Sequence, residues 1–314
     1  MIETLLTTSF WITVLAMTLR MATPLIFGSI GEALAERSGI LNLGIEGMML
    51  MGASIGFLMA YKTGNLWLAV LAAGLIGALM GLLMAFLSET IGAPQHVTGI
   101  GITILGSGLS FYLYRINVPT PGGVPPTISP FKEIKIPFLS DVPFIGQVLF
   151  SQHLLVYLAL ILIPISAFIL YKTHIGLMIR AVGENPRAAD VTGINVALIR
   201  YICTCSAGFL AGIAGSWLSL AQSNMFLPGM TMGRGWVCIA LVVFGHWDPI
   251  RILGAALLFG FIDAFQLSLQ AAGFKIPYHL LLATPYVMTI IVLALVARKA
   301  EYPAAMLKPY RREE

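Results

Sequence analysis

Three acidic or amide side chains interrupt stretches of sequence that are otherwise apolar. Asn42 and Glu46 lie in the segment 28–47, where glycines and charges break a hydrophobic run, and Asp263 falls inside the apolar stretch 252–270. An ionisable group inside a membrane is costly and is by default a functional candidate. Asn42 offers hydrogen-bond donors and an acceptor, and Glu46 offers a charge. We predict that all three line a pathway for a polar solute.

Each of these residues also has a plainer interpretation. The segment 28–47 would then be a tight turn between two spans, with Glu46 at the membrane interface. Asp263 would pair with a buried arginine or sit near an interface. For the broken segment the pathway is favoured, because irregular backbone at membrane depth is tolerated only where protein or a water-filled cavity surrounds it. Broken helices of this kind commonly build the substrate sites of transporters.

A second group of polar residues lies in the connector 172–195, the longest charged stretch between apolar segments: Arg180, Glu184, Asn185 and Arg187. Gly183 is predicted to end one short helix and Asn185-Pro186 to open another, since proline is tolerated in the first turn. With Arg180, Glu184 and Arg187 pointing outward, the two helices would form a docking surface. The alternative is a solvated connector.

We predict no motif for self-contained catalysis: no phosphate-binding loop, no metal helix and no Gly-x-Ser-x-Gly nucleophile elbow. Proteins that split ATP hold its phosphates in a loop that ends in Gly-Lys, and this chain has no Gly-Lys dipeptide. It has no His-Glu-x-x-His metal helix, and its five histidines are scattered over loops and span ends. We therefore predict no catalytic residue, no metal site and no cofactor in this chain.

The elements that position these residues are predicted to be membrane helices. Hydrophobic residues make up 58% of the 314 residues and charged residues 10%, whereas soluble domains carry about 25% charged residues. A helix needs about 20 mainly apolar residues to cross the bilayer. Stretches of this kind lie at 9–31, 43–61, 66–87, 96–115, 151–171, 200–221, 235–247, 252–270 and 279–297. We predict an all-α integral membrane protein, a polytopic bundle of about nine transmembrane or partial helices in a single domain, 1–314.

Two details refine this bundle. The stretch 235–247 is bounded by glycines and is too short to span the bilayer, so it is predicted to be re-entrant or partial. Small residues recur four apart, at Gly77 and Gly81 and again at Gly208 and Gly212. This spacing lets helix backbones approach closely and predicts a tightly packed bundle.

The loops give an orientation. Eleven of the 18 Lys and Arg residues lie on the side of the C-terminal tail, six on the other, and Arg20 within the first span. Because positive charge collects on the cytoplasmic side, the tail 298–314 and the connector 172–199 are predicted to be cytoplasmic and the N-terminus outside. The outer segment 116–150 holds seven prolines, which prevent a long helix; it is a lid, a docking surface or a plain crossover.

The charged connector and the broken segment together resemble a known family. The connector matches the docking loop of ABC-importer permeases that serve branched-chain amino acids, ribose and nucleosides, through Gly176, Arg180-Ala181-Val182-Gly183-Glu184-Asn185, Ala188-Ala189 and Gly193-Ile194. The stretch 37–47, Arg-Ser-Gly-Ile-Leu-Asn-Leu-Gly-Ile-Glu-Gly, is similar to the shorter of the two membrane subunits of nucleoside-type permeases. The resemblance covers nearly the whole chain. Ribose-type permeases differ, with an Asp-Leu-Ser type motif and an additional N-terminal helix.

The resemblance implies a permease subunit of the bacterial cytoplasmic (inner) membrane that moves nucleosides or nucleobases by alternating access. Arg180, Glu184, Asn185 and Arg187 would contact a cytoplasmic ATPase that binds Mg-ATP, and Asn42 and Glu46 would lie near the pathway. A longer permease paralogue would complete a heterodimer, and an extracytoplasmic lipoprotein would deliver the substrate. Nucleic acid is not an expected partner, because no basic run interleaves with aromatic residues.

Two other functions stay open. One is a permease of the same machinery for another small polar solute, such as a sugar or a vitamin like riboflavin. The other is an autonomous secondary carrier, which would need paired intramembrane charges for a proton or sodium. Glu46 and Asp263 are the strongest candidates for such a pair, and they lie far apart in the sequence.

Overall fold

The computed structural model describes residues 7–119, 124–135, 137, 140, 142–273, 287, 290, 294 and 302–310. Within these residues the protein is mainly helical, as predicted. In chain order the elements are α1 Thr8–Arg37, α2 Ile45–Thr63, α3 Leu66–Ala85, α4 Gln95–Asn117, β1 Glu133–Lys135, α5 Ile145–Leu149, β2 Ser151–His153, α6 Leu154–Lys172, α7 His174–Glu184, α8 Pro186–Val191, α9 Val196–Trp217, α10 Arg234–Phe244 and α11 Pro249–Ala271.

Six of the described helices are long and apolar enough to cross a membrane: α1, α3, α4, α6, α9 and α11. The π-helical turns Phe86–Thr90 and Leu218–Gln222 extend α3 and α9. Helix α2 has 19 residues, most of them buried inside the bundle, and α10 has only 11. The predicted span 279–297 falls outside the described residues except for three isolated positions. The count of about nine therefore stays a prediction.

Helix α1 is longer than the predicted span 9–31, because it continues to Arg37. The glycines and acids of the segment 28–47 do not break it, and the irregular backbone is confined to residues 38–44. Glu32 and Glu36 lie wholly inside the protein. Glu32 accepts a hydrogen bond from the Asn42 N–H, and Glu36 accepts one from the Trp247 indole. One oxygen of each carboxylate thus has a donor from the protein, whereas Glu32 Oε2 and Glu36 Oε1 are buried without a hydrogen-bond partner among the described residues.

Helix α9 lies at the centre of the bundle, packed against α1, α2 and α3. Glycines make these contacts close: Gly77 faces the Gly208 carbonyl oxygen, and Gly81 faces that of Thr204, leaving no room for a side-chain carbon. Gly212 in turn lies against the backbone of α3. The predicted close approach of backbones at these glycines is confirmed.

The outer segment folds back onto α1. Strands β1 and β2 pair antiparallel, with Glu133 opposite His153, and in its described part the segment has no helix longer than the five residues of α5. Arg20 of α1 holds this pair: its Nη2 lies 2.6 Å from Glu133 Oε1, and its Nε donates to Gln152 Oε1 at 2.9 Å. Burial, helped by the charge of Arg20, lowers the pKa of His153, whose ring packs edge-on against Trp217.

Candidate functional site

A cavity of about 330 Å³ opens between α1, the end of α9, α10 and α11. Most of its lining is apolar, contributed by residues such as Leu25, Val237 and Phe259. A few polar side chains interrupt that lining: Gln222, Ser223, Arg234, Asp263, Gln266 and Gln270. An apolar cleft of this size with a few convergent polar groups is typical of a small-molecule site.

Asp263 is the one residue of the predicted pathway that lines this cavity. Its Oδ2 lies 3.9 Å from Arg234 Nη2, so the arginine pairing considered as the alternative is also present. The contact is long for a hydrogen bond. Both side chains stay partly exposed, at 25% for Asp263 and 19% for Arg234. The carboxylate therefore keeps acceptor capacity for a solute.

The backbone around the cavity is irregular. A π-helical turn ends α9 at Gln222, and such turns often occur at functional sites. Asn224 and Met232 then adopt left-handed backbone conformations with φ of 55° and 48°, which cost free energy for residues other than glycine. Helix α10 begins at Arg234 on the cavity wall. As expected, this helix is too short to span the bilayer, with 11 residues, and it borders the cavity.

Glu46 accepts hydrogen bonds from the residues at the start of α10. Its Oε1 accepts hydrogen bonds from Thr231 Oγ1 at 2.5 Å and from the Gly233 N–H at 2.9 Å. Its Oε2 accepts the Gly235 N–H at 2.7 Å. A carboxylate at a helix N-terminus is favourable, because the free N–H groups there carry partial positive charge. Glu46 thus acts as a helix cap supplied by another helix, and it is only 8% exposed.

Asn42 stabilises the buried turn 38–44. Its Oδ1 accepts the Gly44 N–H at 3.1 Å, and its Nδ2 lies 3.5 Å from Met48 Sδ. The side chain is fully buried. Asn42 and Glu46 do not belong to the lining of the 330 Å³ cavity among the described residues. Their assignment to the pathway stays a prediction.

The predicted pair of short helices is present in the connector. Helix α7 ends at Glu184 and α8 begins at Pro186, with Asn185 Oδ1 accepting the Ala188 N–H. Glu184, Asn185 and Arg187 are exposed. Arg180 does not point freely outward as predicted: it is half-buried, and its guanidinium lies over the Tyr171 ring, 5.5 Å from the centroid. This stacking is favourable because a guanidinium cation is attracted to the face of an aromatic ring.

A strap formed by residues 302–310 joins this connector to the buried turn. The Ala305 N–H donates to the Gly183 carbonyl at 2.9 Å, and the Leu307 N–H donates to the Gly39 carbonyl at 3.3 Å. Tyr310 donates to Asp190 Oδ2 at 2.9 Å. The connector and the turn are therefore fastened to the same short segment.

Arg200, at the start of α9, is buried where these pieces meet. Its Nη1 lies 2.8 Å from Glu89 Oε2 and 3.3 Å from the Lys308 carbonyl oxygen. Its Nε donates to the Ser38 carbonyl at 3.2 Å. One guanidinium thus bonds the end of α3, the strap and the buried turn.

Two features bear on the expectation that the chain is not catalytic. A Gly-x-Ser-x-Gly sequence occurs at residues 52–56. It lies inside α2, where Ser54 donates to the Ser110 carbonyl at 2.8 Å and is buried. A nucleophilic serine needs an exposed hydroxyl on a sharp turn. In the described part of the chain, no three His, Cys, Asp or Glu side chains gather as metal ligands.

Several functional candidates were missed from the sequence. Gln222, Gln266 and Gln270 are neutral, so they did not stand out as Asp263 did. One signal was available: Asp263, Gln266 and Gln270 are three and four residues apart, which places them on one face of a helix. Arg200 is one of the eleven basic residues predicted to lie on the side of the C-terminal tail, and nothing local in the sequence distinguishes a buried arginine from an exposed one.

Comparison with known proteins shows that this chain is similar to the permeases of ABC transporters. The family model described as the permease component of branched-chain amino acid transport systems matches residues 14–296. The guanosine ABC transporter permease NupQ of Bacillus subtilis is 37% identical, covering 93% of this chain and 94% of its own. The nucleoside ABC transporter permease NupC of Lactococcus lactis is 36% identical, covering 90% and 92%. TsgC13 of Haloferax volcanii, a candidate glucose ABC transporter permease, is 37% identical, covering 97% and 99%.

Proposed function

This chain belongs to the permease-component family of branched-chain amino acid transport systems, and we propose that it is the membrane-spanning subunit of an ATP-driven importer of nucleosides or nucleobases. The cavity beside the broken stretch between α9 and α10 is the observation that supports this most directly, because it offers a carboxylate and three amides within an apolar wall. Two relatives that align over nearly the whole chain are named for guanosine and nucleoside transport.

The energy for transport comes from a partner. The ATPase subunit holds Mg-ATP and docks on the connector 172–199, with Arg180, Glu184, Asn185 and Arg187 at or near the contact. A longer permease paralogue completes a heterodimer, and an extracytoplasmic lipoprotein delivers the substrate. The complex lies in the bacterial cytoplasmic membrane, with the tail 298–314 inside and the segment 116–150 outside. This arrangement rests on the family resemblance and on the distribution of basic residues.

Contacts already described form a continuous route from the docking surface to the cavity. Helix α7 is bonded to the strap, the strap to the turn 38–44, and the turn leads directly into α2. Glu46, in the first turn of α2, holds the start of α10 at the cavity wall. In our proposal a displacement of the docking helices shifts α2 and α10 together. Alternating access then opens the cavity to one side or the other of the membrane.

Uptake by reconstituted complexes tests the function. The chain, its ATPase and its second permease are placed in proteoliposomes, and the binding lipoprotein and radiolabelled guanosine or glucose are supplied outside. ATP-dependent accumulation of guanosine is the expected result. Accumulation of glucose alone would indicate a sugar importer. This is the second candidate function, which the similarity to TsgC13 suggests. Uptake without ATP, driven by an ion gradient, would indicate a secondary carrier.

Asp263→Asn is expected to reduce guanosine uptake by about 10- to 100-fold, because a hydrogen bond to a charged group is replaced by a neutral one. Uptake is measured in the same proteoliposomes, and ATPase co-purification checks assembly. The charge swap Asp263→Arg with Arg234→Asp is the control. If the swap restores uptake, Asp263 serves only its ion pair with Arg234 and is not a substrate contact.

Val191→Asp is expected to reduce both ATPase co-purification and uptake by at least about tenfold, because it places a charge at the apolar end of α8 in the proposed docking surface. Val191 is 89% exposed, so thermal stability of the isolated subunit should stay unchanged. Val124→Asp is the matched control, since Val124 is 69% exposed in the outer segment. Equal behaviour of the two variants would argue against docking at α8.

A further inference from the structure

We infer, on the premise of the proposed function, that Gln266 and Gln270 recognise the hydrogen-bonding edge of the substrate's heterocyclic base, while Asp263 binds its sugar hydroxyls. All three side chains line the same cavity and project from α11. The hydrogen bonds from the two glutamines to the base would distinguish a nucleoside from a free sugar.

The spacing of the three residues fits an elongated substrate. Asp263, Gln266 and Gln270 lie on one face of α11, because residues three, four and seven apart align along a helix. A rise of 1.5 Å per residue separates the first from the last by about 10 Å. This separation is comparable to the length of a nucleoside from its sugar diol to the far edge of its base. One helix face therefore presents a carboxylate at one end and amides at the other.

The two amides have unused hydrogen-bonding capacity. Within the described residues, Oε1 of Gln266 and Nε2 of Gln270 are buried and have no hydrogen-bond partner. A buried polar group left in this state is unfavourable. The terminal torsion of glutamine rotates over a broad range, so both groups can turn toward a solute in the cavity. A glutamine amide offers a donor and an acceptor side by side, which is the pattern that recognises the edge of a purine.

Asp263 has a different preference. Its carboxylate has two oxygens, and the 3.9 Å separation from Arg234 leaves room for hydroxyl donors. Two adjacent sugar hydroxyls can donate to one carboxylate. Glucose and ribonucleosides both present such hydroxyls, so Asp263 would not discriminate between them. The apolar lining from Leu25, Val237 and Phe259 suits the flat faces of a base. Selection for a base therefore falls to Gln266 and Gln270.

The test compares two substrates in five versions of the complex. Inosine carries an exocyclic oxygen on its base, and purine riboside lacks it. The reconstituted complex is prepared with the native chain, with Gln266→Met, with Gln270→Met and with both substitutions. Methionine keeps the length and the unbranched shape of glutamine and removes its donor and acceptor. Gln147→Met, at an exposed position of α5, is the control. Initial uptake rates give KM for each substrate.

With the native chain and the Gln147→Met control, KM is expected to be about tenfold lower for inosine than for purine riboside. Each cavity substitution should raise the inosine KM by about two- to tenfold. In the double variant the two KM values should become equal, while ATPase co-purification is unchanged. Because the ratio of two substrates is measured on the same preparation, partial loss of folded protein does not alter it.

Two results would overturn the inference, and they are distinguishable from each other. If the native complex imports nucleosides but the KM ratio is the same in the double variant, the glutamines do not contact the base, and the proposed function stands. If the native complex imports glucose and no nucleoside, the substrate class itself is wrong and the proposed function fails with the inference. Should the double variant fail to assemble, the single Gln270→Met variant, at a half-buried position near the end of α11, gives the same ratio test.

Discussion

Replacing Arg200 by methionine is expected to lower the free energy of unfolding by about 3 to 5 kcal/mol, because breaking a buried ion pair leaves the other charge unpaired. Arg200 is fully buried and Glu89 is 4% exposed at the contact. Methionine fills much of the same volume, so the loss is mainly electrostatic. The effect is measured as the thermal unfolding of the purified subunit in detergent. Uptake should fall with it, because the guanidinium also bonds the strap and the buried turn.

Two further variants separate charge from packing in this prediction. Glu89→Gln combined with Arg200→Met removes both charges, and it should recover part of the lost stability. Arg251→Met is the surface control, because Arg251 is exposed at the start of α11 and its substitution should change stability by less than about 0.5 kcal/mol. Native stability of Arg200→Met would contradict the structural function that we assign to Arg200.

Glu46→Leu is the second substitution with a large expected effect. It leaves three donors without their acceptor: the Thr231 hydroxyl and the Gly233 and Gly235 N–H groups. Each unsatisfied buried donor costs about 1 to 3 kcal/mol, so the total loss should exceed about 3 kcal/mol. The start of α10 should loosen, and the cavity wall at Arg234 with it. Thermal unfolding and guanosine uptake are both measured.

Glu46→Gln provides the graded comparison, because it keeps the shape and one carbonyl acceptor. We expect it to lie between the native chain and Glu46→Leu in both stability and uptake. If both variants keep the stability of the native chain but lose uptake, Glu46 lies in the pathway itself. That result would support the original assignment from the sequence over the capping function seen in the structure.

Much of the fold was predictable because the bilayer imposes simple length and polarity requirements. The spans 66–87, 96–115 and 252–270 agree with helices α3, α4 and α11 to within a few residues. The predicted first span, 9–31, ends before Glu32, whereas helix α1 includes this acid and continues to Arg37. The N–H of residue 42, which donates to this acid, meets it only after the chain has turned back. Sequence alone does not reveal such a return.

The candidate site was less predictable than the fold. Asp263 stood out because a charge in an apolar stretch is rare, and the cavity does include it. Glu46 stood out for the same reason, yet its bonding partners lie about 190 residues away in the sequence and are mostly backbone groups. Whether a buried acid faces a cavity or caps a helix depends on the tertiary contacts. The glutamines of α11 carry no charge, and their importance depends on the cavity that they face.

The way the strap is bonded determines which residues of the connector can be substituted. Its bonds to Gly183 and Gly39 run from main chain to main chain, so they do not depend on which side chains the residues 305 and 307 carry. The restriction falls on the glycines instead: a side chain at 183 would collide with the Arg37 carbonyl, and residue 39 has a φ of 95°. If an ATPase docks on the connector as proposed, the exposed residues of the connector can change to fit a different ATPase without altering these main-chain bonds. The hydrogen bonds that fasten the connector and the buried turn to the strap would persist through such changes.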